Sequence, residues 1–182
     1  MKKVVLLGDS IRLMGYGEVI NKYLPEFEIW QPEDNCRFSQ YLLRMLFDYK
    51  DQIEGADVIH FNAGLWDTCY LFEDGQNFTP IEEYKRNLSR IADILLSQCD
   101  KVIFALTTPV NGEAHNTNET IQKYNEAAMK VLKPKGIIIN DLYSLVMSDL
   151  NANIRDDDKI HLSDAGKEKT AKQVADLIKS II

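Results

Sequence analysis

The chain has 182 residues, which fits one compact domain because single domains usually comprise about 100–200 residues. Its 45% hydrophobic and 27% charged residues are typical of a soluble globular protein with a core of useful size. The net charge of -7, with Lys and Arg scattered rather than clustered, argues against nucleic acid or an anionic membrane surface as a partner.

The first apolar run occupies residues 3–7, directly after Met1 and Lys2. It is shorter than the roughly 7–15 apolar residues of a secretory signal, and no later stretch reaches the roughly 18 residues of a membrane span. We therefore predict that this run is a strand. Cys36, Cys69 and Cys99 are an odd number without metal-ligand spacing, so we expect free thiols and a cytoplasmic location.

Four further apolar runs predict strands, at residues 27–30, 57–61, 101–106 and 136–140. None alternates cleanly with polar residues, so each is expected to be buried on both faces, as in a parallel sheet. Between the runs, apolar residues at helical spacing predict helices over residues 84–95 and 121–131. A last helix near the C-terminus has Ser163 as its expected N-cap. This alternation indicates βαβ units in a doubly wound α/β sheet.

In such a sheet a ligand binds outside the carboxyl ends of the strands. The tripeptide Gly8-Asp9-Ser10 follows the first predicted strand, and polar stretches follow the next three at residues 31–39, 62–67 and 107–115. A serine nucleophile needs a base, an orienter for that base and donors for the oxyanion. Ser10 is placed to serve as a nucleophile, although a helix cap explains Asp9 and Ser10 equally well.

Three histidines are available as the base. His60 lies within the third strand and is expected to be a core residue, whereas His115 lies in the polar loop at residues 111–118 and is expected to be solvated. His161 follows Asp158 by three residues, and a carboxylate at that distance can accept the imidazole Nδ1–H and fix the tautomer. We predict His161 as the base, the alternative being a solvated acidic loop with no catalytic role.

Two blocks carry a resemblance to a known family. Val5-Leu6-Leu7-Gly8-Asp9-Ser10 near the start and Asp158-Lys159-Ile160-His161 near the end resemble the SGNH/GDSL hydrolases, which pair Gly-Asp-Ser with Asp-x-x-His. The resemblance spans almost the whole chain and implies a single domain over residues 1–182. It implies Ser10 as nucleophile, His161 as base and Asp158 as orienter. It also implies a flavodoxin-like three-layer α/β/α sandwich with five parallel strands in the order 2-1-3-4-5.

The sequence departs from the family at the oxyanion hole. No glycine follows the second strand, so the backbone N–H of Cys36 or Arg37 is expected to serve as a donor. The stretch Gly64-Leu65-Trp66-Asp67 has tryptophan where the family has its oxyanion asparagine. Asn35 and Asn62 are the candidates to replace it, and a structural turn is the alternative role of Asn62.

Three more side chains near these motifs have open roles. Trp66 is expected to stack on a sugar ring, to pack against an acyl chain or to close the core. Asp67 is expected to cap a loop or to pair with Arg37 or Arg12. Arg12 itself is expected to pair with an acid or to hold an anionic substrate group.

We predict a serine esterase that hydrolyses short-chain esters, with acetyl on a carbohydrate as the expected substrate and no metal or cofactor. A thioesterase or lysophospholipase of the same family is one alternative. A catalytically weak carbohydrate-binding relative is another. A flavin or phosphate binder of the flavodoxin type is disfavoured because Asp9 puts a carboxylate where phosphate oxygens would lie. The sequence makes no prediction about the oligomeric state.

Overall fold

The computed structural model describes residues 1–112 and 115–182. Five strands form one parallel sheet in the order β2-β1-β3-β4-β5, so the predicted strand order is confirmed. The strands are β1 Lys2–Leu7, β2 Phe27–Trp30, β3 Val58–Phe61, β4 Val102–Ala105 and β5 Ile138–Asn140. Each lies within a predicted apolar run or exceeds it by one residue.

Helices connect the strands and cover both faces of the sheet. They are α1 Gly17–Val19, α2 Ser39–Asp48, α3 Lys50–Ile53, α4 Ile81–Leu96, α5 Asn118–Leu132, α6 Leu142–Met147, α7 Leu150–Asn153 and α8 Asp164–Ile181. The predicted helices are confirmed as α4, α5 and α8. Ser163 caps α8 as predicted, because its Oγ accepts the Gly166 N–H at 3.1 Å. Shorter turns of π and 3-10 helix occur at Arg12–Tyr16, Ile20–Lys22 and Lys133–Lys135.

The sheet separates two apolar cores, which explains why its strands show no polar alternation. Val5 and Leu7 of β1 point into the core that contains Leu42 of α2 and Leu88 of α4. Val4 and Leu6 point to the opposite face, into the core that includes Val174 of α8. Because successive side chains of a strand point to opposite faces, a strand covered on both sides is apolar throughout.

The segment before α8 is held against the carboxyl ends of the strands. Ile154 and Leu162 form an isolated antiparallel bridge, which closes the loop between them. The Asn111 N–H donates to the carbonyl of Lys159 at 2.8 Å and so ties this loop to the loop after β4. Residues 113 and 114 of that second loop, within the predicted polar stretch 111–118, lie outside the described residues. None of the described helices is both long enough and apolar enough to cross a membrane.

Candidate active site

Ser10 lies in a tight turn between β1 and the helical segment that follows it. The N–H groups of Arg12 and Leu13 donate to the Asp9 carbonyl at 3.1 and 3.0 Å, which starts the helical turn. The Asp9 Oδ1 accepts the Ile11 N–H at 2.9 Å, so this carboxyl group connects the two residues on either side of Ser10. Ser10 is only 5% exposed, and its Oγ is held toward the loop before α8.

The structure brings together the three residues that the two sequence blocks single out. His161 Nε2 lies 2.9 Å from Ser10 Oγ, and His161 Nδ1 lies 2.9 Å from Asp158 Oδ2. A carboxylate beside Nδ1 selects the tautomer with its proton there, which leaves the Nε2 lone pair facing the serine hydroxyl. The arrangement is therefore suited to removing the Ser10 proton.

The Asp158 carboxylate is fixed by the backbone of its own turn. Partial burial raises its pKa, but the backbone N–H groups of His161 and Ile160 and the imidazole outweigh this effect and lower the pKa to about 2. The two N–H groups donate to Oδ1 at 2.8 and 2.9 Å, which leaves Oδ2 for the imidazole. Lys159, between the acid and the histidine, takes a left-handed conformation with φ 63° that closes this turn.

A cavity of about 210 Å³ opens beside Ser10 and His161. Its other walls are formed by Leu65, Trp66, Cys69, Leu71, His115, Asn116 and Ile160. Most of these side chains are apolar, and Trp66 is 37% exposed. Sequence reasoning did not assign Cys69, His115 and Asn116 to the site. Their position after β3 and β4 was the available signal, because these segments leave the carboxyl ends of neighbouring strands.

No protein-family model matches the chain. Over 167 residues the chain is 30% identical to the GDSL esterase/lipase WDL1 of Oryza sativa subsp. japonica. The match covers 80% of this chain and 62% of that protein, so the chain spans less than two thirds of its relative's length.

Solved structures give the same fold over nearly the full length. The lipase/acylhydrolase from Enterococcus faecalis aligns with a TM-score of 0.81 at 19% identity, over 100% of this chain and 97% of the other. The acetyl xylan esterase AlAXEase aligns with a TM-score of 0.74 at 20% identity, over 99% of both chains. A member of the lipolytic G-D-S-L family from Veillonella parvula DSM 2008 has a TM-score of 0.77 at 14% identity, over 98% and 99%.

The chain thus resembles the SGNH/GDSL hydrolases in fold and, over 167 residues, in sequence. The predicted oxyanion hole differs from expectation, because both expected backbone donors have partners inside the protein. The Cys36 N–H donates to the Gly8 carbonyl at 3.0 Å, and the Arg37 N–H donates to Asn35 Oδ1 at 2.8 Å. The expectation that Cys36 or Arg37 supplies a free N–H is therefore corrected. The loop after β2 folds back on the predicted nucleophile turn, residues 8–10, and both N–H groups are bonded within the protein.

The two asparagines differ in how their amides are engaged. Asn62 is buried, its Nδ2 donates to Asp9 Oδ1 at 2.7 Å, and its Oδ1 accepts the Tyr16 hydroxyl at 3.0 Å. This fits the structural alternative and not the role of oxyanion donor. The half-buried Asn35 uses its Oδ1 for the Arg37 N–H, and within the described residues its Nδ2 has no acceptor in the protein. Asn35 is therefore the amide with a free donor.

Arg12 and Asp67 also differ from expectation. Arg12 is buried, and its guanidinium donates to the carbonyls of Pro32, Gly8 and Asp34 at 2.7, 3.2 and 2.6 Å rather than to an acid. It thereby joins the loop after β2 to the nucleophile turn. Asp67 pairs with neither arginine: its carboxyl group accepts the N–H of Ser39 at 3.0 Å and the hydroxyl of Ser39 at 2.6 Å. Since α2 has no capping side chain of its own, Asp67 supplies the cap.

The buried Asp67 predicts a pH dependence of stability. Burial raises its pKa from 3.8 to about 6, although its bonds to Ser39 and Thr79 oppose the rise. Because the pKa of this carboxyl group is raised in the folded state, its protonation stabilises the fold below pH 3.8. This stabilisation is lost as the pH rises through about 6. Two pKa units correspond to about 3 kcal/mol. Relative to Asp67→Asn, the wild-type free energy of unfolding should fall by about this amount between pH 4 and pH 7.

Urea unfolding of both proteins at the two pH values measures this difference. The change with pH is the observable, because the amide also alters the cap and therefore the absolute stability. A gap between the two proteins that is the same at both pH values would contradict the buried, raised carboxyl.

Across residues 1–112 and 115–182, no group of three or more His, Cys, Asp or Glu side chains is arranged to hold a metal ion. Cys36, Cys69 and Cys99 are free.

Proposed function

We propose that this protein is a serine ester hydrolase that works through Ser10, His161 and Asp158. The observation that carries the proposal is the continuous line from Ser10 Oγ through the imidazole to the Asp158 carboxylate, with 2.9 Å at both contacts. Both reacting side chains, Ser10 and His161, line the same cavity. Similarity to a GDSL esterase/lipase supports the same reaction class.

In the proposed reaction His161 Nε2 takes the Ser10 proton while Oγ attacks the ester carbonyl. The ionised Asp158 stabilises the imidazolium that forms. His161 then returns this proton to the leaving alcohol as the C–O bond breaks, which leaves an acyl group on Ser10. In the second half, His161 takes a proton from water as its oxygen attacks the acyl-enzyme. The proton then passes back to Ser10 Oγ as the carboxylic acid leaves.

Two donors are proposed for the oxyanion, the Ser10 backbone N–H and the Asn35 amide. Ser10 lies at the start of a helical turn, where backbone N–H groups point outward without intrahelical partners. Asn35 precedes Cys36, whose N–H is bonded to the Gly8 carbonyl, so Asn35 belongs to a loop joined to the nucleophile turn. Its uncommitted Nδ2 supports this role.

The proposed substrate is a short-chain ester, with acetyl on a carbohydrate as the expected example. The cavity volume of about 210 Å³ is below the roughly 300–1,000 Å³ of drug-sized ligand sites. Leu65, Leu71 and Ile160 make its walls apolar, as an acyl group requires. The indole of Trp66, part of the cavity wall and 37% exposed, offers a face for a sugar ring.

Hydrolysis of p-nitrophenyl acetate, butyrate and dodecanoate tests the proposal. We expect kcat/KM for the acetate and butyrate to exceed that for the dodecanoate by about 10-fold or more, because a pocket of this size has no room for a long acyl chain. Leu71→Ala should move the preference toward longer chains by enlarging the cavity. Absence of turnover with all three would contradict ester hydrolysis, and equal turnover of all three would contradict the small acyl pocket. Loss of activity in Trp66→Ala on an acetylated disaccharide but not on p-nitrophenyl acetate would identify the sugar platform.

A cytoplasmic location is part of the proposal. The free thiols of Cys36, Cys69 and Cys99 support it, because reducing compartments keep cysteines unpaired.

A further inference from the structure

A chain of hydrogen bonds crosses the core and ends on the residue before the nucleophile. It begins on the surface helix α8, passes through β5 and β3, and reaches the turn after β1. Its members are Gln173, Asn140, His60, Tyr16, Asn62 and Asp9. All but Gln173 are buried. The reaction proposed above uses none of these side chains.

The bonds have one direction. Gln173 Nε2 donates to Asn140 Oδ1 at 2.8 Å, so the amide nitrogen of Asn140 faces His60 Nε2, at 3.2 Å. An amide nitrogen is only a donor, so His60 Nε2 must accept and the imidazole proton lies on Nδ1. Burial lowers the pKa of His60 to about 3, which keeps the ring neutral and able to accept.

The second half continues in the same direction. His60 Nδ1 lies 3.4 Å from the Tyr16 oxygen, and the Tyr16 hydroxyl donates to Asn62 Oδ1 at 3.0 Å. Asn62 Nδ2 then donates to Asp9 Oδ1 at 2.7 Å. Each link fixes the donor and acceptor roles of the next, so the amide of Asn62 has one favoured orientation.

The chain of hydrogen bonds ends in direct contact with the nucleophile turn. A Cβ atom on Gly8 would lie 1.9 Å from Asn62 Oδ1, so the glycine is what allows this amide to approach. The Asp9 oxygen that receives the Asn62 amide also accepts the Ile11 N–H at 2.9 Å. The orientation of this carboxyl group therefore fixes the backbone on both sides of Ser10.

We propose that His60, Tyr16 and Asn62 are positioning residues: they hold Asp9, and through Asp9 they hold the turn that aims Ser10 Oγ at His161. The inference rests on the proposed esterase function for its kinetic consequence. None of the three touches the cavity, so substrate binding should be independent of the chain. Loss of one link should misplace the nucleophile and slow the chemical step.

Tyr16→Phe removes the central hydroxyl and keeps the ring. We expect kcat for p-nitrophenyl acetate to fall by about 10-fold or more while KM changes by less than about twofold. The matched control is Tyr124→Phe, which also removes a buried tyrosine hydroxyl, one that donates to the Thr79 carbonyl at 2.5 Å. This control should leave kcat within about twofold. An unchanged kcat in Tyr16→Phe, or equal losses in both variants, would overturn the proposal.

A nitrogen NMR spectrum of the imidazoles tests this chain of hydrogen bonds without measuring turnover. In the wild type, His60 should show its proton on Nδ1, and Tyr16→Phe should shift the His161 Nε2 resonance whereas Tyr124→Phe should not. If no ester is hydrolysed but these shifts appear, the proposed function fails and the positioning chain stands. A His60 proton on Nε2 would overturn the positioning proposal whatever the activity. A His161 resonance that is unchanged in Tyr16→Phe would do the same.

Discussion

Ser10→Ala is expected to lower kcat for a short-chain ester by about four to six orders of magnitude. Without Oγ no acyl-enzyme forms, and the remaining rate comes from binding and oxyanion donors acting on a bound water. KM should change little, because the apolar walls of the cavity are untouched. His161→Ala should cost about as much as Ser10→Ala, and the double variant should be no worse than either single one, because the two residues act as a unit.

A serine replaced elsewhere controls for nonspecific effects. Ser97 is exposed and its hydroxyl donates to the Ile94 carbonyl at the end of α4, so Ser97→Ala should retain full activity. A fluorophosphonate should add to the wild type and to Ser97→Ala at the Ser10 peptide, and it should leave Ser10→Ala unlabelled. Turnover in Ser10→Ala close to that of Ser97→Ala would remove Ser10 from the reaction.

The architecture was predictable because its signals are local. The strands are mostly apolar without regular polar alternation, as at residues 4–7, because cores lie on both faces of the sheet. The cap of α8 was predictable for the same reason, since Ser163 bonds to a backbone group three residues away. Ser10 and His161 could be proposed as a pair because a strand end and a three-residue spacing from Asp158 are also visible in the sequence.

The role of Asn62 could not be read from its position. An asparagine after a strand suits an oxyanion hole and a carboxylate partner equally, since both need an amide donor. The hydrogen bonds of Asn62 with Asp9 and Tyr16 decide between these two roles, and both partners are distant in sequence, by 53 and 46 residues. Asp67 is similar, because the helix that it caps begins 28 residues earlier, at Ser39. Partners separated in this way are set by packing and not by local pattern.

The residues of the cavity wall show the same limit. Cys69 and His115 come from loops after different strands, and the conformation of each loop determines which side chain reaches Ser10. Asn116 joins the two loops by donating to the Leu65 carbonyl at 2.8 Å, 51 residues away. Sequence pattern indicates which strand ends face the site, but it does not give the loop geometry that brings individual side chains into the wall.

Asp158→Asn is expected to lower kcat by about three to four orders of magnitude while preserving the fold of the turn. The reason lies in the two backbone N–H groups of Ile160 and His161, which both donate to Oδ1. They require an oxygen there, so the new amide must turn its NH2 group toward His161 Nδ1. The imidazole then accepts at Nδ1 and carries its proton on Nε2, where it faces Ser10 and cannot act as a base.

The neighbouring acid offers a matched control. Asp157 is exposed and pairs with Arg155, so Asp157→Asn makes the same chemical change one residue away without touching the imidazole. Its kcat should stay within about twofold of the wild type, and the imidazole nitrogen spectrum should keep the Nδ1–H tautomer. In Asp158→Asn the proton should appear on Nε2 together with the loss of rate. A variant that shows this tautomer but keeps more than about a tenth of the wild-type kcat would mean that His161 is not the base that activates Ser10.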